Sequence, residues 1–254
     1  MICIMNNYTK FLNELFEEWE KEREFTHFYE DGLMYRGEYL SPYLRKSGKE
    51  SELWDKCSTR VMFVLKDVNA RGDTPDDDKD LRYRAFLNTG YRGYKNLTYW
   101  LYGILKTIET SHAPDYTFTN AEASQLFDET PVAYINCKKE AGYSSCSYST
   151  LKYYIERDKD FLTEEIKILN PDIIVCCAYT ESTGNPIFDF VKENICPDLI
   201  KINGWIYYSE QLNKVIINAY HFTTRAKGNE ALYTEMTEAF EEFINKHPQF
   251  KNIR

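Results

Sequence analysis

No stretch of this 254-residue chain stays apolar for the ~18–20 residues that a helix needs to cross a bilayer. The N-terminus turns polar at Asn6, too early for the apolar core of a secretory signal. Both absences point to a cytoplasmic protein with no membrane partner. CxxC pairs are missing as well: the seven cysteines, at 3, 57, 137, 146, 176, 177 and 196, are odd in number and irregularly spaced. That spacing suits neither a disulfide framework nor a zinc or iron–sulfur ligand set, so reduced thiols and no metal or redox cofactor are expected. Positive charge is in deficit, with 31 Lys+Arg against 40 Asp+Glu and a net charge of −9. Phosphate neutralisation supplies most non-specific nucleic-acid affinity, which excludes a general nucleic-acid coat but leaves room for a local basic groove. There is no low-complexity segment, internal repeat or linker. One domain over 1–254 is expected, with a helix and an irregular extension (1–58) packed on it.

What is present is enough to bury a core: apolar residues make up 43% of the chain, and 21 tyrosines help raise the aromatic share to 16%. Four short runs, Val61–Leu65, Val132–Ile135, Ile173–Ala178 and Val215–Ile217, are continuously apolar with no polar alternation. A strand covered on both faces reads this way, so strands are expected near 61–66, 132–136, 172–178 and 215–219. Between them lie helical patterns at 8–25, 96–109, 149–169, 186–194 and 229–246, and a capping-box sequence, Thr119-Asn-Ala-Glu122. Asn170-Pro171 stops the 149–169 helix, and Asn203-Gly204 suggests a small hairpin within 199–208. Residues 31–58 read as irregular. The alternation predicts a three-layer α/β/α fold around a central, mainly parallel four-stranded sheet.

In such sheets ligands bind beyond the carboxyl ends of the strands, so the residues that follow each apolar run are the informative ones. They are Lys66-Asp67-Val68-Asn69, Asn136-Cys-Lys-Lys139, Ala178-Tyr-Thr-Glu181, and Asn218-Ala-Tyr-His221-Phe-Thr-Thr-Arg225. Further along, residues 82–95 interleave Arg82, Arg84, Arg92 and Lys95 with Tyr83, Phe86, Tyr91 and Tyr94, a composition suited to stacking and holding a single strand. The acidic stretch Asp73–Asp80 lacks the glycine and closing glutamate of a calcium loop and reads as solvated.

In order and spacing, these strand tails resemble the uracil-DNA glycosylase superfamily. Val64-Leu-Lys-Asp-Val-Asn69 stands at the place of the family's first loop, Tyr134-Ile-Asn136 at its second-strand asparagine, and Val215-Ile-Ile-Asn-Ala-Tyr-His221 at its late histidine turn. Asn136-Cys-Lys-Lys and Ile168-Leu-Asn-Pro-Asp-Ile-Ile-Val175 are similar to the family's iron–sulfur branch, without that branch's cluster cysteines. The resemblance covers roughly residues 60–245. It implies cleavage of the N-glycosidic bond of uracil or another modified base flipped out of DNA. Asp67 would orient water, with Asn69 two positions on as the alternative; Asn136 would bind the polar edge of the base; and His221 would donate to the leaving base. Lys66, Asn69, Asn136 and Arg225 are the candidate substrate contacts, with Thr223 and Thr224 beside Arg225 for a phosphate. The sequence departs from the family where Lys66 replaces glycine, where no proline follows Asp67, and where Phe222-Thr223 replaces Pro-Ser.

Each residue also has an ordinary reading. Asp67 suits an Asx turn, Asn136 a turn amide, His221 a satisfied structural histidine, and Arg225 a surface arginine ahead of a helix. Two other functions therefore stay open: a non-catalytic module of the same fold that binds nucleic acid, nucleotide or protein, and a metal-dependent nuclease built on Asp67. The nuclease is disfavoured by the lack of an HxH or paired-carboxylate pattern.

Overall fold

The computed structural model describes residues 7–25, 27–69, 79–85, 95–142 and 146–252. In chain order the elements are α1 (Tyr8–Glu22), β1 (Gly32–Leu33), β2 (Tyr39–Ser41), β3 (Leu44–Arg45), α2 (Glu50–Lys56) and β4 (Val61–Asn69). Next come α3 (Lys95–Thr110), α4 (Asn120–Glu129), β5 (Val132–Gly142), α5 (Tyr148–Arg157), α6 (Lys159–Leu169), β6 (Ile173–Tyr179) and α7 (Pro186–Asn194). The chain closes with β7 (Ile200–Lys201), β8 (Ile206–Ser209), β9 (Lys214–Tyr220) and α8 (Asn229–Lys246).

The four apolar runs form the centre of the sheet. Its order is β1-β5-β4-β6-β9-β8-β7, and β5, β4, β6 and β9 pair in parallel. Antiparallel β1 extends one edge, and β8 followed by β7 extends the other. The missing polar alternation is explained by two cores. Val61, Phe63, Leu65, Val132, Tyr134, Val175 and Ile217 pack against α3, α4 and α8 through Leu97, Trp100, Phe127, Met236 and Phe240. The alternate residues, Met62, Val64, Ala133, Ile135, Ile174 and Ile216, pack against α1, α5, α6 and α7 through Phe16, Trp19, Leu151, Leu162 and Val191. Successive side chains of a strand point to opposite faces, so both sets must be apolar.

The central parallel sheet flanked by helices agrees with the sequence reading, and the details differ in four places. Residues 149–169 are two helices, α5 and α6, broken at Asp158 (φ −110°, ψ 16°). The Asp158 carboxylate is wholly buried and gripped by Arg23 and Arg157, and that polar contact leaves the apolar periodicity untouched. Residues 31–58 carry β1–β3 and α2 rather than irregular chain. β4 and β5 run past their first polar residues, to Asn69 and Gly142, because Asp67 pairs with Lys138 and, beyond a shift of register, Asn69 with Gly142. The sheet has seven strands rather than four, the three additions being edge strands of two to four residues. The Thr119 capping box forms as read: the Glu122 N–H donates to the Thr119 hydroxyl (3.2 Å), and the Thr119 N–H donates to the Glu122 carboxylate (2.6 Å). The hairpin around Asn203-Gly204 forms too, as β7 and β8.

Among the described residues, no helix is long and apolar enough to cross a membrane. The described cysteines are unbridged, and Cys176 and Cys177 are fully buried.

Candidate functional site

The chain passes from β4 outward to β5, then returns to the other side of β4 to form β6 and β9. The sheet's direction of winding therefore reverses at β4, and in open α/β sheets ligands settle at this switch, outside the carboxyl ends of the strands. Lys66 and Asp67 lie on β4 there, Tyr179 and Thr180 at the end of β6, and His221 directly after β9. Two strand spacings, about 10 Å, separate β4 from β9.

Asp67 sits at a shift of register between β4 and β5 and is partly buried. Its carboxyl is raised above the usual carboxylate range by burial, while Lys138 and Lys66 pull it back down. The carboxylate packs against the backbone of Gly142: a Cβ there would stand 1.7 Å from Asp67 Oδ2 and 2.6 Å from its Cγ. Gly142 is thus the residue that makes room for the acid. Lys138 is held across the same strand end. Its ammonium donates to the Ala141 carbonyl (2.7 Å) and lies 5.1 Å from the centre of the Tyr154 ring. Cys146 is half-buried, and its thiol is pushed up to about 11 by burial and by Asp67, against the pull of Lys138 and Lys66.

His221 is set by the turn that follows β9. The Thr224 N–H donates to the His221 carbonyl (2.8 Å), closing the turn. The Thr223 N–H donates to His221 Nδ1 (3.3 Å), and the Thr223 hydroxyl lies 2.8 Å from the same nitrogen. A backbone N–H can only donate, so Nδ1 is the acceptor and the neutral ring carries its proton on Nε2. Burial, and then the charge of Lys66, lower the imidazole from its ordinary 6.5 to about 4. The ring stays uncharged at neutral pH with one N–H to offer. Asn96, at the start of α3, ties this turn to the helices: its Nδ2 donates to the Phe222 carbonyl (2.6 Å) and to Asn229 Oδ1 (3.2 Å).

Asn136 is placed differently. It lies in register with Leu65 inside β5, short of the strand end, and is wholly buried. Its backbone N–H (2.7 Å) and its Nδ2 (2.9 Å) both donate to Asp31 Oδ2. Its Oδ1 is buried with no hydrogen-bond partner among the described residues, a state that costs about 1–3 kcal/mol when nothing compensates it. The other oxygen of Asp31 meets the Lys139 ammonium, which also donates to both oxygens of Glu165 (3.0 and 2.7 Å). Asp31 and Glu165 were not singled out by sequence, and Lys139 was read only as part of the tail after its strand, with no role of its own. Lys139 follows an apolar run as an ordinary polar residue, and Asp31 comes from a segment read as irregular.

The structure thus brings Lys66, Asp67 and His221 to one edge of the sheet, with Asn136 buried beneath it. Arg225 is exposed beyond the His221 turn, with Thr223 exposed and Thr224 half-buried. The Asn69 side chain lies outside the described residues, as do 86–94 of the basic–aromatic stretch and 73–78 of the acidic one. Arg82 is corrected: it is 2% exposed, paired with Glu30 and Asp80 and bonded to Asn13, so it is no part of a groove. Asp80 caps the short turn at Leu81–Tyr83 by accepting the Arg82 N–H (3.0 Å). No group of three or more His, Cys, Asp or Glu side chains among the described residues could hold a metal ion. An open groove of about 620 Å³ lies at the opposite end of the sheet, against Arg60 before β4 and Asn170 before β6, away from these residues.

The chain matches no protein-family model, and no curated protein matches its sequence.

A first expected result concerns Gly142. Gly142→Ala should leave the fold intact, because a carboxylate can rotate away, but it should move the Asp67 oxygens by more than an ångström. If Asp67 acts on a substrate, a displacement of that size costs about 10²-fold in rate. Turnover measured beside circular dichroism checks this, and wild-type turnover in the variant would detach Asp67 from the chemistry.

Proposed function

We propose that the protein is a DNA glycosylase-like hydrolase, resembling the uracil-DNA glycosylase superfamily, that cleaves the N-glycosidic bond of uracil or another modified base. The observation that carries this reading is the neutral His221 imidazole, whose Nδ1 is occupied by Thr223 so that its proton sits on Nε2, on the strand edge that also holds Asp67. As the bond to the base breaks, negative charge grows on the base and positive charge on the sugar. A fixed neutral donor meets the first without losing its own proton, and a carboxylate that orients water answers the second. Phe222-Thr223 departs from the family's Pro-Ser, and the Thr223 hydroxyl, 2.8 Å from Nδ1, holds the ring here. DNA would be met locally, through Lys66, Arg225 and neighbouring cations, since the net charge of −9 opposes broad contact with phosphates.

A second reading, a non-catalytic module of this fold that binds nucleic acid, nucleotide or protein, is favoured by the complete burial of Asn136 and by Lys66 in place of a loop glycine. Base release from labelled single- and double-stranded oligonucleotides carrying uracil or other modified bases separates the two. The glycosylase reading expects abasic product from the wild type and a loss of about 10²-fold or more in Asp67→Asn, with the fold retained. If no tested base is released, the binding module takes its place.

A further inference from the structure

We propose that the groove at the opposite end of the sheet binds a small apolar carboxylic acid as its anion, with Arg60 and Lys167 for the carboxylate and Phe11 and Ile168 for the body. The groove holds about 620 Å³, inside the range of about 300–1,000 Å³ usual for small-ligand sites. Tyr8 and Phe11 reach it from the first turn of α1, Asp55 from α2, Arg60 from just before β4, and Lys167 and Ile168 from the last turn of α6. Arg60 carries the inference. It is 4% exposed, and its guanidinium is fixed by Nε donating to the Trp54 carbonyl (2.9 Å) and Nη2 donating to Asp55 Oδ1 (3.1 Å). The Tyr8 and Trp54 rings hold it as well, with centres 5.5 and 5.6 Å away. Nη1 has no hydrogen-bond partner among the described residues, yet it is not sealed from solvent, and Arg60 lines the groove. A rigid, charged donor is thus held for an acceptor that enters there.

The surroundings select the class of ligand. Asp55 is engaged within the protein, since its Oδ1 also accepts from the Tyr8 hydroxyl (2.6 Å). The exposed Lys167 ammonium makes no ion pair or hydrogen bond with a described residue. Two cations against one acid leave one positive charge along the groove, in a chain whose net charge is −9, and that suits a monoanion. The first turn of α1 carries no acidic side chain, so the positive end of its dipole adds to this field. The opposite-signed end of α6 is met by Lys214, whose ammonium donates to Asn170 Oδ1 and to the Pro171 carbonyl. Phe11 is 42% exposed and Ile168 half-buried, so an aromatic or aliphatic body laid on them takes apolar surface out of water while its carboxylate meets Nη1.

The test titrates phenylacetate, phenylacetamide and acetate by NMR into the full chain, with the Arg60 Nε–H signal and the backbone signals of Phe11 and Ile168 as reporters. Phenylacetamide keeps the shape without the charge, and acetate keeps the charge without the ring. Phenylacetate should move all three reporters and bind about tenfold or more tightly than either control. Lys167→Glu and Phe11→Gln alter exposed side chains, so both variants should keep the wild-type circular dichroism. Each should weaken phenylacetate by about fivefold or more, the first through charge and the second through lost apolar contact. Asp67→Asn and His221→Ala lie at the other end of the sheet and should bind phenylacetate as wild type does, so this site and the glycosylase reading fail separately. Equal binding of phenylacetate and its amide, unchanged affinity in both surface variants, or reporters that phenylacetate does not move would each overturn the proposal.

Discussion

Replacing His221 with alanine is expected to lower base release by roughly 10²–10³ with DNA affinity little changed. The size follows from what the Nε2 proton meets: the charge on the departing base exists only as the bond breaks, so the interaction is worth little in the bound ground state and most at the barrier. Single-turnover release, with binding measured in parallel, reads the two parts separately. A fall in affinity with unchanged turnover would make His221 a binding group only, and an unchanged rate would remove it from the mechanism. His221→Gln is the sharper variant, since its amide can still donate but cannot titrate.

Titration gives the same residue a second readout. Burial and Lys66 hold the folded imidazole at about 4, against 6.5 in a free chain. Between those values the unfolded chain takes up a proton that the folded protein refuses, so wild-type stability should fall as pH drops from about 6.5 towards about 4. Above that window both states are neutral and the effect vanishes. Urea titrations across this range should show a shallower acid loss in His221→Gln than in wild type. Activity should show no inflection near 6.5, because the ring is already in its donating form there.

How much of this was legible in the sequence depended on which interaction placed each residue. The four parallel strands were readable because burial on both faces leaves continuous apolar runs, and nothing else in the chain imitates Ile173–Ala178. That Asp67 and His221 fall at the carboxyl ends of β4 and β9 was readable from their distance past those runs. The exact strand ends were not, since Lys138, Lys139 and Asp67 continue the sheet through backbone pairing that carries no apolar signature. The break at Asp158 was hidden for the same kind of reason: Leu151, Ile155, Leu162 and Ile166 keep helical spacing across it, and the contact of Asp158 with the distant Arg23 leaves no local pattern. Asn136 was placed correctly along the chain and read wrongly as ending its strand. Its environment is made by Asp31, 105 residues away, and no local pattern announces that contact. Gly142 carried a faint signal, a glycine shortly after a strand, but its role is defined only by the Asp67 carboxylate against it.

The largest expected loss of stability comes from Lys139→Met. In wild type one ammonium, wholly buried, serves two wholly buried carboxylates. Methionine fills much of the same volume and keeps contact with Phe16 and Trp19, so packing changes little while Asp31 and Glu165 lose their cation. Removing one partner of a buried ionic group typically costs about 3–5 kcal/mol, because the charge left behind has neither water nor a counter-ion. The sign of the pH dependence follows. Burial already raises Glu165 above its ordinary 4.5, with Lys139 opposing the shift and Asp31 adding to it. Wild type holds the Glu165 proton up to about 8, and without Lys139 the opposing influence is gone, so the folded variant holds that proton to higher pH still. Stability from a group raised on folding is complete below the unfolded value and is lost as pH rises through the folded one. Below about pH 8 both folded proteins keep that proton and lose this stability alike, so the deficit of Lys139→Met relative to wild type should stay level from pH 4.5 to about 8 and widen above it. Glu165→Gln, which keeps Asp31 and Lys139 paired one to one, should cost far less at pH 7 and flatten the profile. Urea unfolding of the three proteins at several pH values decides the matter, and a Lys139→Met variant as stable as wild type at pH 7 would show that the lysine does not carry the charge of this cluster.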